Sequence, residues 1–516
     1  MRASGILLHI SSLPSPHGIG TMGAAAKDFV DFLVKAGQAY WQILPVCPTS
    51  YGDSPYQSFS TFAGNPYFID LDLLAKAGFL QPEEYESIDW ESTPGCVNYG
   101  ALYQKRYAVL HKACARLLAA PPADYADFLA KNAFWLPDYA LFMALKDAHN
   151  GVCWQQWEEP LRRREPETLA AARAKYAADI DFWQAVQYLF YTQWHDLKAY
   201  ANAQGIEIIG DLPIYVAEDS VDVWSCPQEF QLDENLVPTE VAGCPPDGFS
   251  ATGQLWGNPL FDWDAMAANG YAWWVRRIRH LCGIYDVLRI DHFRGFAGYY
   301  AIPYGDKTAE NGRWRTGPGY ALFAAVKKEL GSPRIIAEDL GFLTDDVRAL
   351  LKECAYPGMK VLEFAFDSRD GGDYRPHSYP TNCIAYTGTH DNEPVDGWFG
   401  TALPDDIERA IQYLNLTKEE GMNWGMMRGI WSSVADLAVV QAQDVLGLGH
   451  EARMNTPATL GGNWCWRALP GAFTPELAQK LHDAMELYGR LPEEPAAEPD
   501  ETEKAEDAEK AAEPKT

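Results

Sequence analysis

At 516 residues and 47% hydrophobic composition, the chain is long enough for a barrel-sized core plus a substantial insertion, and too long for a small binding module. Its formal net charge of -29 argues against nucleic acid and anionic lipid as partners, because both are held by Lys and Arg clusters that the motif regions lack. The ten cysteines form no CxxC pair and no tight cluster, so neither a zinc site nor a disulfide scaffold is expected; free thiols in a reducing cytoplasm are.

Taken in chain order, the first strand-like run is 4–10, with no basic, apolar leader ahead of it. No stretch reaches the twenty or so apolar residues of a membrane span. A second run follows at 40–44, and a third at 206–216. The roughly 160 residues between them are rich in Ala, Leu, Arg and Glu, too many for a loop, so a mainly helical subdomain is expected over about 75–200. Within it, Phe182, Val186, Leu189, Phe190 and Leu197 recur at a spacing that stacks them on one helix face. The stretch 217–262 carries Gly, Pro, Trp and Asp with little periodicity, and reads as a substrate-loop subdomain after the third strand. Further strands are expected at 287–291, 334–338, 359–364, 383–387 and 437–442. Eight strands alternating with helical patterns predict an α/β chain, a (β/α)8 TIM barrel over 1–490 with both segments inserted in it. From Leu491 onward, ten acidic residues and three lysines stand among Pro and Ala. That composition predicts a solvated, disordered tail over 491–516.

Three of the expected strands end on an acid: Asp291 in Val-Leu-Arg-Ile-Asp-His-Phe-Arg-Gly, Glu338 in Ile-Ile-Ala-Glu-Asp-Leu-Gly, and Asp391 in Tyr-Thr-Gly-Thr-His-Asp-Asn-Glu-Pro. Strand ends of a parallel barrel converge on one mouth, and carboxylates gathered there are the working parts of glycosidic bond chemistry. Arg289 and Asp291, two apart on a strand, share a face, and a guanidinium beside a carboxylate favours its ionised, nucleophilic form. Glu338 has the opposite task of keeping a proton for a leaving oxygen, helped by burial and by a neighbouring anion. His390 and Asp391 are placed to hold sugar hydroxyls and an oxocarbenium-like transition state. The 18 Trp and 27 Tyr add a weak hint, since aromatic rings stack on pyranose faces and fill large cores alike.

These segments resemble the catalytic signatures of the α-amylase clan, and more closely those of the 4-α-glucanotransferase family of amylomaltases, or disproportionating enzymes. Supporting strings are Ser4-Gly-Ile-Leu-Leu-His-Ile-Ser-Ser-Leu-Pro, Tyr51-Gly-Asp-Ser-Pro-Tyr-Gln-Ser-Phe-Ser, Gly64-Asn-Pro-Tyr, Gly210-Asp-Leu-Pro-Ile-Tyr-Val-Ala, Pro245-Pro-Asp, Gly253-Gln-Leu-Trp-Gly-Asn-Pro and Arg453-Met-Asn-Thr-Pro. The resemblance implies Asp291 as nucleophile, Glu338 as acid/base and Asp391 as transition-state stabiliser, with Arg289, His390 and Asp211 as supporting contacts. It implies that Tyr56, Gln57, Gln254, Trp256 and Asn455 line a glucan groove, and it matches Tyr51 and Tyr99 to a second glucan site of some members. His9 and His292 are as well suited to ordering the barrel mouth as to touching substrate. Ala458 stands where the family pattern has Gly, which bears on the loop and on the contact through Asn455.

The implied reaction is retaining transfer of an α-1,4-glucan segment to the 4-hydroxyl of an acceptor glucan or glucose. It needs the two carboxyls about 5–5.5 Å apart, and segment 243–256 is the candidate lid against water. Hydrolysis through the same acids, and a catalytically silent glucan-binding barrel, are the competing readings. Maltooligosaccharides and other α-1,4-glucans are the expected partners; no nucleic acid, membrane or protein partner and no cofactor is implied. Calcium is not expected either, as no loop carries the Asp and Asn spacing that fills its oxygen shell.

Overall fold

The computed structural model describes residues 2–50, 52–246, 250–341, 343–369 and 374–493. Twelve strands are formed: β1 (Ala3–Leu7), β2 (Tyr40–Gln42), β3 (Glu207–Leu212), β4 (Glu240–Cys244), β5 (Gln254–Pro259), β6 (Val287–Ile290), β7 (Gly298–Pro303), β8 (Arg313–Thr316), β9 (Ile335–Ala337), β10 (Gly358–Val361), β11 (Cys383–Tyr386) and β12 (Leu437–Gln441). Eight of them pair in the order β10-β11-β12-β1-β2-β3-β6-β9, parallel throughout. The two ends of that order meet as well. The Ala337 N–H donates to the Pro357 carbonyl at 3.0 Å, and the Met359 N–H to Asp339 Oδ1 at 2.6 Å. The result is the expected (β/α)8 barrel.

Apolar runs such as Val-Leu-Arg-Ile, Cys-Ile-Ala-Tyr and Leu-Ala-Val-Val-Gln are buried at every residue, as strands covered on both faces must be. The barrel's interior and its helical coat merge into one hydrophobic core containing Ile6, Trp41, Ile208, Leu288, Ile336, Met359 and Val439. The ladders of β6 and β9 stop one residue short of the acids. The Asp291 N–H still bonds the Leu212 carbonyl and the Glu338 N–H the Ile290 carbonyl, each at 2.9 Å. Both carboxyls therefore sit on backbone tied to a neighbouring strand, at the C-terminal lip of the barrel.

Between β2 and β3 lie helices Leu71–Lys76, Tyr99–Ala119, Tyr125–Lys131, Leu136–Ala148, Glu159–Arg162, Pro166–Lys175 and Ala177–Ala203. The last joins insertion to barrel. Phe182, Val186, Leu189, Phe190 and Leu197 are all buried. Its Gln187 exchanges two hydrogen bonds with the Gly64 backbone, and Trp194 Nε1 donates to the Ile284 carbonyl at 3.0 Å.

The irregular stretch after β3 is not all loop. β4 and β5 form an antiparallel sheet of order β5-β4-β7-β8, completed by two strands from beyond β6 and thus outside the expected bounds. A bulge between Val241 and Gly243 breaks its two-residue period. A Cβ on Gly243 would come within 2.2 Å of the Gln254 carbonyl oxygen, so the close strand approach there requires glycine.

At the opposite, N-terminal end of the barrel, the fully buried Arg490 donates to the carbonyls of Ala3, Trp431, Ile430, Ser433 and Ala435. No helix among the described residues is long and apolar enough to cross a membrane. Most of the acidic tail, 494–516, lies outside the described residues.

Candidate active site

A single guanidinium organises the barrel mouth. Arg289 Nη1 lies 2.6 Å from Asp211 Oδ2 and 3.0 Å from Asp291 Oδ1. Asp211 Oδ2 also accepts from the Tyr56 hydroxyl at 2.7 Å, while its buried Oδ1 has no partner. The Glu338 carboxyl takes one backbone N–H on each oxygen, from His292 and from Leu340, both at 2.7 Å. Asp391 Oδ1 accepts from Asn455 Nδ2 at 2.6 Å and lies 3.5 Å from His390 Nε2. The His390 ring stacks on Tyr56 with centroids 5.0 Å apart.

The electrostatics differ from the simple expectation for Asp291. Arg289 is not its own: the guanidinium is shared with Asp211, which it approaches more closely. Burial pushes the Asp291 carboxyl well up; Arg289 opposes this, and Asp211, Glu338 and Asp391 add to it. Burial also raises Glu338, against Arg289 and the two backbone donors. Two carboxyls raised by the same surroundings share protons, and their titrations belong to the pair. Burial lowers His390 despite Asp391 beside it, so a neutral imidazole faces the site.

The cleft has two lobes. One of about 260 Å³ is lined by Tyr56, Gln57, Asn258, Asn455 and Trp464, among others. The other, of about 570 Å³, is lined by Arg289, Glu338, Glu363, Phe364, Trp398 and Arg453, among others. Gln254, Trp256, Asp291, His292, Asp391 and Pro457 line both, so the lobes meet at the two aspartates. Trp256 Nε1 donates to Gln254 Oε1 at 3.1 Å, and its ring stands edge-on to His292. Gln57 pairs with the Asn258 side chain at 3.2 Å. His9 sits behind the mouth, its Nδ1 accepting the Leu44 N–H at 3.2 Å, whereas the buried Nε2 of His292 has no partner.

Tyr99 does not line the cleft. It is half-buried behind the wall, its hydroxyl donating to the Trp464 carbonyl at 2.9 Å; Tyr51 lies outside the described residues. Ala458 adopts a left-handed backbone with φ 62°, which explains why glycine suits the position. The Asn455 contact is made nonetheless.

Several lining residues escaped the sequence reading. Arg453 donates to Glu393, to the Asp391 carbonyl and to the Asn455 carbonyl, pinning both backbones that bear on Asp391; it stands in the quoted Arg-Met-Asn-Thr-Pro string. Trp464 packs on Tyr56 and His390 at 5.7 and 5.8 Å, and no motif marks it. Glu363, buried next to Asp444 and Glu393 and raised well up by burial, follows a strand whose apolar run hides it.

A barrel mouth in which one guanidinium bridges two acids, with two more carboxyls on the same cleft, defines a barrel enzyme of glycosidic bond chemistry. A family model described as 4-alpha-glucanotransferase, glycoside hydrolase family 77, matches residues 8–471. A 4-alpha-glucanotransferase of Clostridium butyricum is 49% identical over 485 residues, 94% of this chain and all of that one. The one from Thermus thermophilus is 47% identical over 501 residues, 95% of this chain and 99% of the relative. The solved amylomaltase of Streptococcus agalactiae in complex with acarbose superposes with TM-score 0.93 at 43% identity, over 95% of this chain and 100% of that one. The chain belongs to the 4-alpha-glucanotransferase family.

Proposed function

We propose that the chain disproportionates maltooligosaccharides, with Asp291 as nucleophile, Glu338 as acid/base and Asp391 as stabiliser of the oxocarbenium-like transition state. The observation that carries this reading is the division of the cleft. Asp291 and Asp391 border both lobes, whereas Glu338 borders only the larger one. A nucleophile must reach the sugar at the cleavage point, and an acid must face the departing side. The smaller lobe, with Tyr56, Gln57 and Asn455, then holds the donor sugar; the larger takes first the leaving chain and afterwards the acceptor.

In the first displacement Asp291 attacks the anomeric carbon while Glu338 gives its proton to the glycosidic oxygen, leaving a β-linked glucosyl-enzyme. The backbone N–H groups of His292 and Leu340 stabilise the Glu338 carboxylate left behind, and burial favours its reprotonation; such opposed pulls suit a group that gives and retakes a proton. In the second displacement Glu338 takes the proton from the acceptor's 4-hydroxyl, and that oxygen displaces Asp291. Transfer prevails over hydrolysis when the larger lobe is filled by sugar and Trp256 and Gln254 keep water from the intermediate. The ten thiols, none in a disulfide, support a reducing, cytoplasmic setting.

The test is incubation with maltotriose alone. Longer maltodextrins plus glucose at a constant total of reducing ends, lost in Asp291→Asn, is the expected result. Rising reducing ends without longer products would replace the reading with hydrolysis.

A further inference from the structure

Two thiols distant in sequence meet beside the cleft. Cys96 precedes the helix Tyr99–Ala119, and Cys465 lies in the segment that follows β12 and its short helices. A short antiparallel bridge joins the two segments. The Val97 N–H donates to the Cys465 carbonyl at 2.7 Å, the Arg467 N–H donates to the Gly95 carbonyl at 2.9 Å, and Cys96 faces Trp466. In such a pair facing Cα atoms are about 4.5 Å apart, and the next residue lies about 3.4 Å along the strand. Cys96 and Cys465 are thereby roughly 5–6 Å apart at Cα, within the range a disulfide spans. Their thiols are in hydrogen-bonding reach of each other, and neither residue is fully buried.

The surroundings of the two sulfurs differ. The Arg467 guanidinium donates to the Ser15 and Thr93 carbonyls at 3.1 and 2.7 Å and faces Cys96, so a thiolate formed there meets a counter-charge. Burial pushes the Cys465 thiol up to about 12, with Cys96 adding to the shift. One sulfur is thus suited to attack and the other to follow, the division of labour of an exchanging dithiol.

We propose that Cys96 and Cys465 form a reversible disulfide with a small-molecule disulfide as oxidant, stapling the helical insertion to the wall of the glucan cleft. The Cys96 thiolate attacks one sulfur of the oxidant and releases a small thiolate. Cys465 then loses its proton and attacks the Cys96 sulfur of the mixed disulfide, releasing the second. The two protein thiol hydrogens end on two small thiols; the protein loses two electrons and the oxidant gains them.

The staple acts on residues that touch sugar. Trp464, next to Cys465, lines the smaller lobe, holds a left-handed φ of 64° and bonds the Met454 carbonyl at 2.6 Å. Thr456, next to Asn455, donates its N–H to Asn463 Oδ1 at 3.0 Å. Fixing Cys465 to the insertion restrains both walls of the loop 455–464, through which donor chains enter and leave.

The experiment treats the full chain with oxidised glutathione, alkylates free thiols, digests without reduction and reads the peptides by mass spectrometry. The peptides carrying Cys96 and Cys465 are expected joined with the loss of two hydrogens, and separated again by dithiothreitol. In parallel, kcat/KM for maltotriose is expected to fall by about three-fold or more on oxidation, as for a restrained gating loop, and to be unaffected by oxidant in Cys96→Ser and Cys465→Ser. Alkylated sulfurs, or glutathione adducts without the cross-link, overturn the proposal whatever the activity. A cross-link with unchanged kcat/KM overturns its link to the cleft.

Discussion

Asp211→Asn isolates what the shared guanidinium does. Asp211 has no reach to a sugar of its own: its side chain is fully buried, and its one bonded oxygen is spent on Arg289 and Tyr56. The two carboxylate oxygens that Arg289 Nη1 touches, at 2.6 and 3.0 Å laid end to end, are at most about 5.6 Å apart. At an effective dielectric constant of about 20, two unit charges at that distance repel by roughly 3 kcal/mol, or about two pH units on a titrating group. Removing the Asp211 charge also leaves Arg289 undivided for Asp291. The nucleophile then ionises more readily, and the acid limb of kcat/KM for maltotriose disproportionation should move down by about one to two pH units. The height of the profile falls too, because Tyr56 loses a charged acceptor, so the position of the limb is the quantity to read. Arg289 keeps Asp291, and the stability loss should stay below the roughly 3–5 kcal/mol of a buried charge left alone. An unmoved acid limb in a variant that melts cooperatively would refute the electrostatic reasoning, and a limb shifted upward would reverse it.

Trp256→Ala should raise the ratio of hydrolysis to transfer, read as new reducing ends per glucose released from maltotriose, because its ring borders both lobes at the carboxylates; an unchanged ratio removes it from the exclusion of water. Ala458→Gly relieves a left-handed alanine that costs about 1–2 kcal/mol, against roughly 0.5–1 kcal/mol of added chain entropy, so the melting temperature should hold or rise slightly with Asn455 still in place, and a clear fall would contradict this. Asp444 is fully buried, and burial lifts its carboxyl from 3.8 to about 7. The native state then binds that proton more tightly than the unfolded chain, so its contribution is present below about pH 4 and is lost as pH rises through 7, by up to about 4 kcal/mol. Asp444→Asn should flatten the fall in melting temperature between pH 5 and 8, and an equal slope in both proteins would mean that Asp444 does not titrate there.

How much of this was legible depended on burial and on period. The eight barrel strands are short apolar runs ending on an acid or a polar residue, a pattern a doubly covered parallel strand can hardly avoid, and Asp291 and Glu338 each stand one residue past the last ladder pair. The sheet of β4, β5, β7 and β8 was not legible. Gly243, Gly257 and the bulge at Val241 disturb its alternation, β8 is exposed along its length, and its halves are separated by a barrel strand. The division of Arg289 between two acids was also hidden, since Asp211 lies on β3 and only the closed barrel sets it against β6. Arg453 and Trp464 act across the same distance: each belongs to the segment after β12, and what it touches arrives from elsewhere in the chain.

Arg490 gathers five carbonyls at the end of the barrel away from the carboxylates, one of them at the very start of β1. Its position separates two engineering problems that are often entangled. A purification handle, a fluorescent reporter or a surface-anchoring module joined beyond this residue would hang from the blunt underside of the enzyme. Polymer chains could then thread the opposite face unhindered, and immobilised molecules would present their open ends outward.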